Sequence, residues 1–174
     1  MEDRVAASGL VYPLFDAKTQ VKKYERSDFP DDEWDWFRAV DYGWNDPNVC
    51  DLWALRRDRQ KAVLYKEIYK SKLPISKFGE MIIDMSAKVK DPLWTVTDHD
   101  PQHNDELRKA GIGCVNADKS VLRNINLVRE AFSEDKLSFN SDLLHHPPDQ
   151  LLADQTNTPP KPVSYTHLTL PTKA

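Results

Sequence analysis

The chain has 174 residues, 40% of them hydrophobic and 30% charged, enough for one domain with a core of its own and close to ordinary globular usage. A formal net charge of −4 argues against nucleic-acid binding over the whole surface, while leaving room for a basic face beside an acidic site. Cys50 and Cys114 form no metal-ligand spacing, no apolar run reaches membrane-spanning length, and the Met-Glu-Asp-Arg start lacks a signal peptide's regions, which predicts a soluble intracellular protein with reduced thiols and no membrane partner.

In chain order, residues 1–8 read as a polar, disordered lead-in. Gly9–Phe15 is apolar but interrupted by Pro13, which suits an edge or a lead-in better than a central strand. Thr19–Tyr24 alternates enough to predict a short strand, and an acidic loop follows over Ser27–Glu33. Three strands are then expected in succession: Trp34–Tyr42, Val49–Arg57 after the turn signal Asn45-Asp46-Pro47, and Ala62–Tyr69 after the charged turn Arg56–Gln60. Connections this short imply an antiparallel meander.

The apolar period changes at Pro74. Phe78, Met81, Ile82, Met85 and Val89 recur at helical spacing, with Ser76 as the expected N-cap and Asp91-Pro92 as the stop. Leu93–Thr97 reads as a strand that delivers Asp98-His99-Asp100. A helix over His103–Ala110 ends at Gly111, Ile112–Asn116 is a short strand, and Ser120–Phe132 is a helix burying Val121, Ile125, Val128 and Phe132. Leu137–Phe139 is a last short strand, and Asp149–Ala153 a helical turn. The domain is expected over residues 9–153, with a proline-rich linker at 154–162. Residues 163–174 match the read-through of a sequencing adapter and are excluded from fold reasoning as a non-native tail.

Two acids stand at strand ends. Asp41 closes the first meander strand and is followed two positions later by Gly43, where backbone or a ligand can approach closely. Asp98 closes the strand after the helix. Three antiparallel strands, a helix and a further strand is the order of an RNase H-like core, in which the first and fourth strands are neighbours. Two carboxylates brought together repel unless a cation neutralises them, and all-oxygen ligands select hard ions such as Mg²⁺ or Mn²⁺. The plainer alternative makes Asp98 and Asp100 turn and cap acids of the next helix. Glu67, mid-strand, is either a further ligand facing Asp41 or one half of a cross-strand pair with a lysine or arginine. His99 and His103 flank the acids without forming a zinc cluster. Trp34, Trp36, Trp44, Trp53 and Trp94 are expected to pack the sheet, with a base-stacking platform as the sharper alternative.

Five words in one order carry a resemblance: GLVYPLFD at Gly9–Asp16, RAVDYG at Arg38–Gly43, YKEIY at Tyr65–Tyr69, TDHD at Thr97–Asp100, and Gly111-Ile112 through Ala117-Asp118-Lys119. Together they resemble the C-terminal nuclease domain of tailed-phage terminase large subunits, over about Gly9–Pro162. The resemblance implies an RNase H-like fold and metal-dependent endonucleolytic cutting of concatemeric phage DNA. It places Asp41 and Asp98 as catalytic metal ligands for Mg²⁺ or Mn²⁺, with Asp100 and Glu67 as possible additions. Lys119 becomes a contact for DNA phosphate, or else a solvated lysine at a helix start. It further implies double-stranded DNA, a portal protein and a small terminase subunit as partners, oligomerisation in the motor, and a place in the host cytoplasm at the procapsid portal. No G-x-x-x-x-G-K-[ST] loop is present and no third acid matches before Pro162, so the chain is expected to be a truncated fragment, weakly active or inactive. The competing readings are a non-catalytic DNA-holding or portal-docking module, and another RNase H-like nuclease or recombinase.

Overall fold

The computed structural model describes residues 12–145. The residues before Tyr12, the expected helical turn at Asp149–Ala153, the linker and the tail lie outside them. Asp16 caps a single helical turn, α1 (Ala17–Gln20), by accepting from the Lys18 N–H, and the chain runs straight into the two-residue strand β1 (Val21–Lys22). The strand expected over Thr19–Tyr24 is therefore cut to Val21–Lys22, with Thr19 and Gln20 in the helical turn. The competing preference is local, since an aspartate that accepts from the amide two residues on starts a turn.

The expected meander is present as β2 (Trp34–Asp41), β3 (Asn48–Arg56) and β4 (Ala62–Lys70), antiparallel throughout. Helix α2 (Ile75–Ser86) follows with Pro74, not Ser76, at its N-cap. The fixed φ of proline, −58° here with ψ 142°, ends the extended lead-in one residue before the first helical position. Strand β5 (Thr95–Thr97), helix α3 (Pro101–Lys109), strand β6 (Cys114–Asn116), helix α4 (Val121–Ser133) and strand β7 (Leu137–Asn140) complete the described chain. Gly111, at φ 87°, turns the chain out of α3 as a left-handed glycine after a helix end.

The strands form one sheet in the order β1-β7-β4-β3-β2-β5-β6. The first meander strand and the strand after the helix are thus neighbours, and they run parallel, as they must when a helix crosses over between them. β7 is inserted parallel to both β4 and β1, a pairing of chain ends that no local pattern announces.

Period-2 alternation sorts β2 onto two faces. Trp34, Trp36 and Val40 turn toward α2 and α3, where Val40, Cys50, Ile68, Phe78, Ile82, Leu107 and Ile112 form one apolar cluster and Phe29, Trp34, Trp36, Leu52, Ala54 and Val63 another. Phe78 and Ile82 are fully buried, each contributing about 1.5–3 kcal/mol. Phe37, Ala39 and Asp41 point to the opposite face, where Leu64, Phe132, Phe139 and Leu143 form a third cluster that Trp53 and Val128 join.

A β-bulge breaks the β3–β4 register between Leu52 and Trp53: Leu52 pairs with Lys66 and Trp53 with Leu64, leaving Tyr65 extra. Val63 and Tyr65 share one face by ordinary alternation, and the bulge lets Leu64 and Glu67, three residues apart, share the other.

Two packing expectations do not hold. Helix α4 is anchored by Phe132 and partly by Val128, but Val121 is 66% exposed, because only the helix's C-terminal turns reach the third cluster. Trp34 and Trp36 are buried and Trp53 and Trp94 partly so, whereas Trp44 is 60% exposed, since it sits in the turn after β2, beyond the sheet.

Candidate metal-binding carboxylate site

The site follows from the β2–β5 register. Arg38, Ala39 and Val40 pair with Thr95, Val96 and Thr97, so Asp41 and Asp98 occupy the next position on each of two adjacent parallel strands. Alternation puts both on the face of Ala39 and Val96, opposite the α2 core. Both residues are exposed, so the pair opens to solvent at the carboxyl end of the strands, where open α/β sheets present their ligand sites.

Asp98 is held from two sides. Its Oδ1 accepts from the His99 backbone N–H at 2.7 Å and lies 2.9 Å from the Lys119 ammonium. Lys119 and then the His99 amide hold the Asp98 carboxyl below the usual carboxylate range. The Ala117 N–H donates to the Thr97 carbonyl at 2.8 Å and the His99 ring Nε2 donates to the Ala117 carbonyl at 2.8 Å, which brings the Ala117-Asp118-Lys119 loop to the acids. Lys119 is thus neither a lone solvated lysine nor far from the site: it is the counter-charge of Asp98.

Asp100 departs from its expected role as a substitute ligand. It is the N-cap of α3, with Pro101 at the first helical position. Its Oδ1 accepts from the His103 N–H at 3.0 Å, and its Oδ2 lies 3.0 Å from His103 Nδ1. The carboxylate is therefore engaged with the first turn of the helix, as a cap requires.

Glu67 does not meet a basic residue. Its cross-strand partner is Asp51, with a hydrogen bond between the two carboxyl groups. Burial, then the Asp51 charge, pushes the Glu67 carboxyl up, and burial pushes Asp51 up as well. Asp51 as a residue is only partly covered, but its Oδ1 is sealed from solvent and accepts no hydrogen bond. Two buried carboxyls in contact retain one proton between them near neutrality, because the doubly ionised form adds repulsion to desolvation. This pair lies on the same face as Asp41, since Asp51 pairs with Ala39 two residues before it. Sequence reasoning did not single out Asp51; its register depends on the bulge.

Gly43 also has a definite role. A Cβ there would lie 2.4 Å from the Asp46 carbonyl oxygen and 2.8 Å from that of Pro47. The close approach is by the chain's own turn backbone. The Gly43 N–H donates to Asn48 Oδ1 at 3.2 Å, and Asn48 Nδ2 donates to the Leu73 carbonyl at 3.1 Å, which ties the turn after Asp41 to the segment entering α2.

The donor set suits a hard cation. Two exposed carboxylates on neighbouring strand ends, with open solvent for water or phosphate oxygens, are the kind of protein contribution a magnesium-like ion takes. Among the described residues no group of three or more His, Cys, Asp or Glu side chains stands close enough to hold a metal ion. No helix among them is long and apolar enough to cross a membrane.

An antiparallel meander, a crossing helix and a parallel strand that brings a second acid beside the first define the RNase H-like class of mixed sheets. Solved structures specify the class further. The chain is similar to the nuclease domain of the bacteriophage P22 large terminase, at 17% identity and TM-score 0.65, over 78% of this chain and 74% of that one. It is similar to the large terminase nuclease domain of bacteriophage SPP1 with bound Mn, at 12% identity and TM-score 0.52, over 82% and 84% of the two chains. It is also similar to the large terminase of a thermophilic bacteriophage, at 19% identity and TM-score 0.65 over 76% of this chain, where it spans 34% of that protein's length. Neither a family model nor a curated protein sequence matches the chain. At these identities the likeness establishes the fold, that of terminase nuclease domains.

Proposed function

We propose that this chain is the nuclease domain of a viral DNA-packaging terminase, a metal-dependent endonuclease that cuts concatemeric double-stranded DNA. The observation that carries the reading is the in-register placement of Asp41 and Asp98 at the ends of adjacent parallel strands, in a fold shared with terminase nuclease domains. The Mn bound by the SPP1 domain supports a divalent ion as the partner of these acids, Mg²⁺ or Mn²⁺ by the hardness of the ligands. Such an ion, when bound, supplies Lewis-acid activation of water and neutralisation of a leaving phosphate oxygen.

The chain's own residues do the rest. Asp41 and Asp98 ligate, the His99 amide fixes the orientation of Asp98, and Lys119 is placed to exchange its contact with Asp98 for one with a DNA phosphate. The exposed strand ends admit a duplex. The portal protein, the small terminase subunit and further copies of the large subunit are partners under this reading, and the host cytoplasm at the procapsid portal its place of action. With two candidate ligands among the described residues, slow cutting is expected of the 174-residue chain.

Plasmid nicking by the full-length protein tests the reading. With Mn²⁺ or Mg²⁺ the wild type relaxes supercoiled plasmid, and Asp41→Asn or Asp98→Asn slows nicking by at least about a hundredfold, since loss of an outer-shell partner alone costs 10–100-fold. Nicking by Asp41→Asn at the wild-type rate sinks the assignment. The salt bridge from Lys119 to Asp98 gives the non-catalytic reading its one support, because it neutralises an acid without an ion. Duplex binding that is independent of added metal and of both acids would favour that alternative.

A further inference from the structure

The strand ladder stops short of the acids. Parallel pairing of β2 with β5 ends at Val40 and Thr97, one residue before Asp41 and Asp98, so the ladder itself does not hold the two carboxylates at their spacing. A side chain takes over. Asn104, in α3, is 2% exposed, and its carboxamide reaches three strand ends at once. Nδ2 donates to the Asp98 backbone carbonyl at 3.0 Å and to Asn116 Oδ1 at 3.3 Å, and Oδ1 accepts the Tyr42 hydroxyl at 2.7 Å. Tyr42 follows Asp41 directly, Asp98 is the second acid itself, and Asn116 ends β6.

The amide orientation is fixed by chemistry, because the Asp98 carbonyl only accepts and so requires the NH₂ side of the amide. Burial pushes the Tyr42 phenol up, so its hydroxyl stays a donor across the neutral range. Asparagine is a mediocre helix former, and a buried amide needs its partners. Leu107, one turn on, fills the same helix face without such demands.

We propose that Asn104 is a positioning residue that sets the separation of the Asp41 and Asp98 carboxylates by tying the ends of β2, β5 and β6 together. The inference rests on the reading that this pair takes a divalent ion. Mn²⁺ affinity of the 174-residue chain, followed by water-proton relaxation enhancement, is compared for wild type, Asn104→Ala and Leu107→Ala. Leu107 lies on the same helix, in an apolar cluster with Phe78 and Ile82 that Tyr42 also borders, and makes none of the clamp's hydrogen bonds, so its truncation loosens α3 while leaving the polar ties in place. Hydrogen exchange of the Ala117 amide, the rung donated to Thr97, is measured alongside.

Asn104→Ala is expected to weaken Mn²⁺ by about tenfold or more, the effect of losing an outer-shell partner, and to speed exchange at Ala117. Leu107→Ala is expected to lower the unfolding midpoint further while leaving Mn²⁺ affinity within about twofold, because it removes none of the clamp's hydrogen bonds. If the wild type binds Mn²⁺ and Asn104→Ala binds it equally well, or if Leu107→Ala weakens it as much, the positioning role is overturned and the metal reading stands. If the wild type binds no Mn²⁺, the metal reading fails instead. The clamp is then decided by exchange: faster exchange confined to the carboxyl ends of β5 and β6 supports it, and unchanged or uniform exchange overturns it.

Discussion

Gly43→Ala isolates the turn that carries the chain away from Asp41. The added Cβ would stand 2.4 Å from the Asp46 carbonyl oxygen, 2.8 Å from its carbon and 2.8 Å from the Pro47 oxygen, all backbone atoms, where real Cβ contacts stay above 3.0 Å. The Asp46 peptide must therefore retreat by at least 0.6 Å from 2.4 Å. It has little freedom to do so: Asn48, fully buried, bonds to Gly43 N–H and to the Leu73 carbonyl, and the Lys72 N–H donates to the Trp44 carbonyl at 2.9 Å. Overpacking of this kind costs about 1–3 kcal/mol, and the pinned turn puts the expected loss in the upper half of that range, about 2–3 kcal/mol. For a domain of this size that lowers the thermal midpoint by about 5–10 °C. Because Tyr42 lies between Asp41 and Gly43, Mn²⁺ affinity is expected to fall as well. Differential scanning calorimetry with Mn²⁺ titration checks both. A midpoint within about 1 °C of wild type would refute the argument, since it would mean that the turn relaxes freely.

Other consequences are more local. Gly111→Ala meets nothing within 4 Å, yet φ is 87°, so it is expected to cost about 1 kcal/mol through backbone strain alone, read as a shift in the urea midpoint without any change in Mn²⁺ affinity. Asp51 and Glu67 have folded pKa values raised by burial, so the native state holds more protons than the unfolded one; stability is greatest below the ordinary carboxylate range and falls as pH rises through the folded values. Asp51→Asn removes the repulsion and should flatten that decline, measured as urea midpoints between pH 5 and pH 9; an unchanged slope would refute the shared-proton account. Lys119→Gln removes the largest influence depressing Asp98, and carboxyl ¹³C titration is expected to show the Asp98 value moving up toward the usual range; no movement would mean that the His99 amide alone sets it.

How much the sequence disclosed depended on how local the cause was. The meander was legible because its strands are long and its turns short, and the crossing helix because Phe78, Met81, Ile82 and Met85 keep helical spacing. From that order the neighbourhood of Asp41 and Asp98 followed, since a crossover helix leaves few places for the next strand. Capping was legible in part: Asp100 before a proline had the cap alternative attached, and the structure assigns it there, whereas Pro74 overrode Ser76. Three features depended on non-local register. Asp51 faces Glu67 only because of the bulge, β1 pairs with β7 across most of the chain, and Lys119 meets Asp98 through a loop closed by Ala117. Asn104 left a faint signal, three residues before the buried Leu107 and so on the same helical face, but a polar residue in a polar helix does not declare itself buried.

The bulge at Tyr65 sets the phase of everything after it in β4. If the same residues ran as a regular strand with no bulge, strict alternation from Leu64 would send Glu67 in among Phe78 and Ile82 and turn Ile68 away from Cys50. Deleting one residue between Leu64 and Glu67 would close the bulge and leave Glu67 opposite Asp51 and Ile68 opposite Cys50, with the carboxyl pair intact. The strand can therefore lose one residue at the bulge without changing which side chains face which layer. For this domain the bulge is a reserve of length in β4, and relatives one residue shorter there are expected to run it as a regular strand with the same facing.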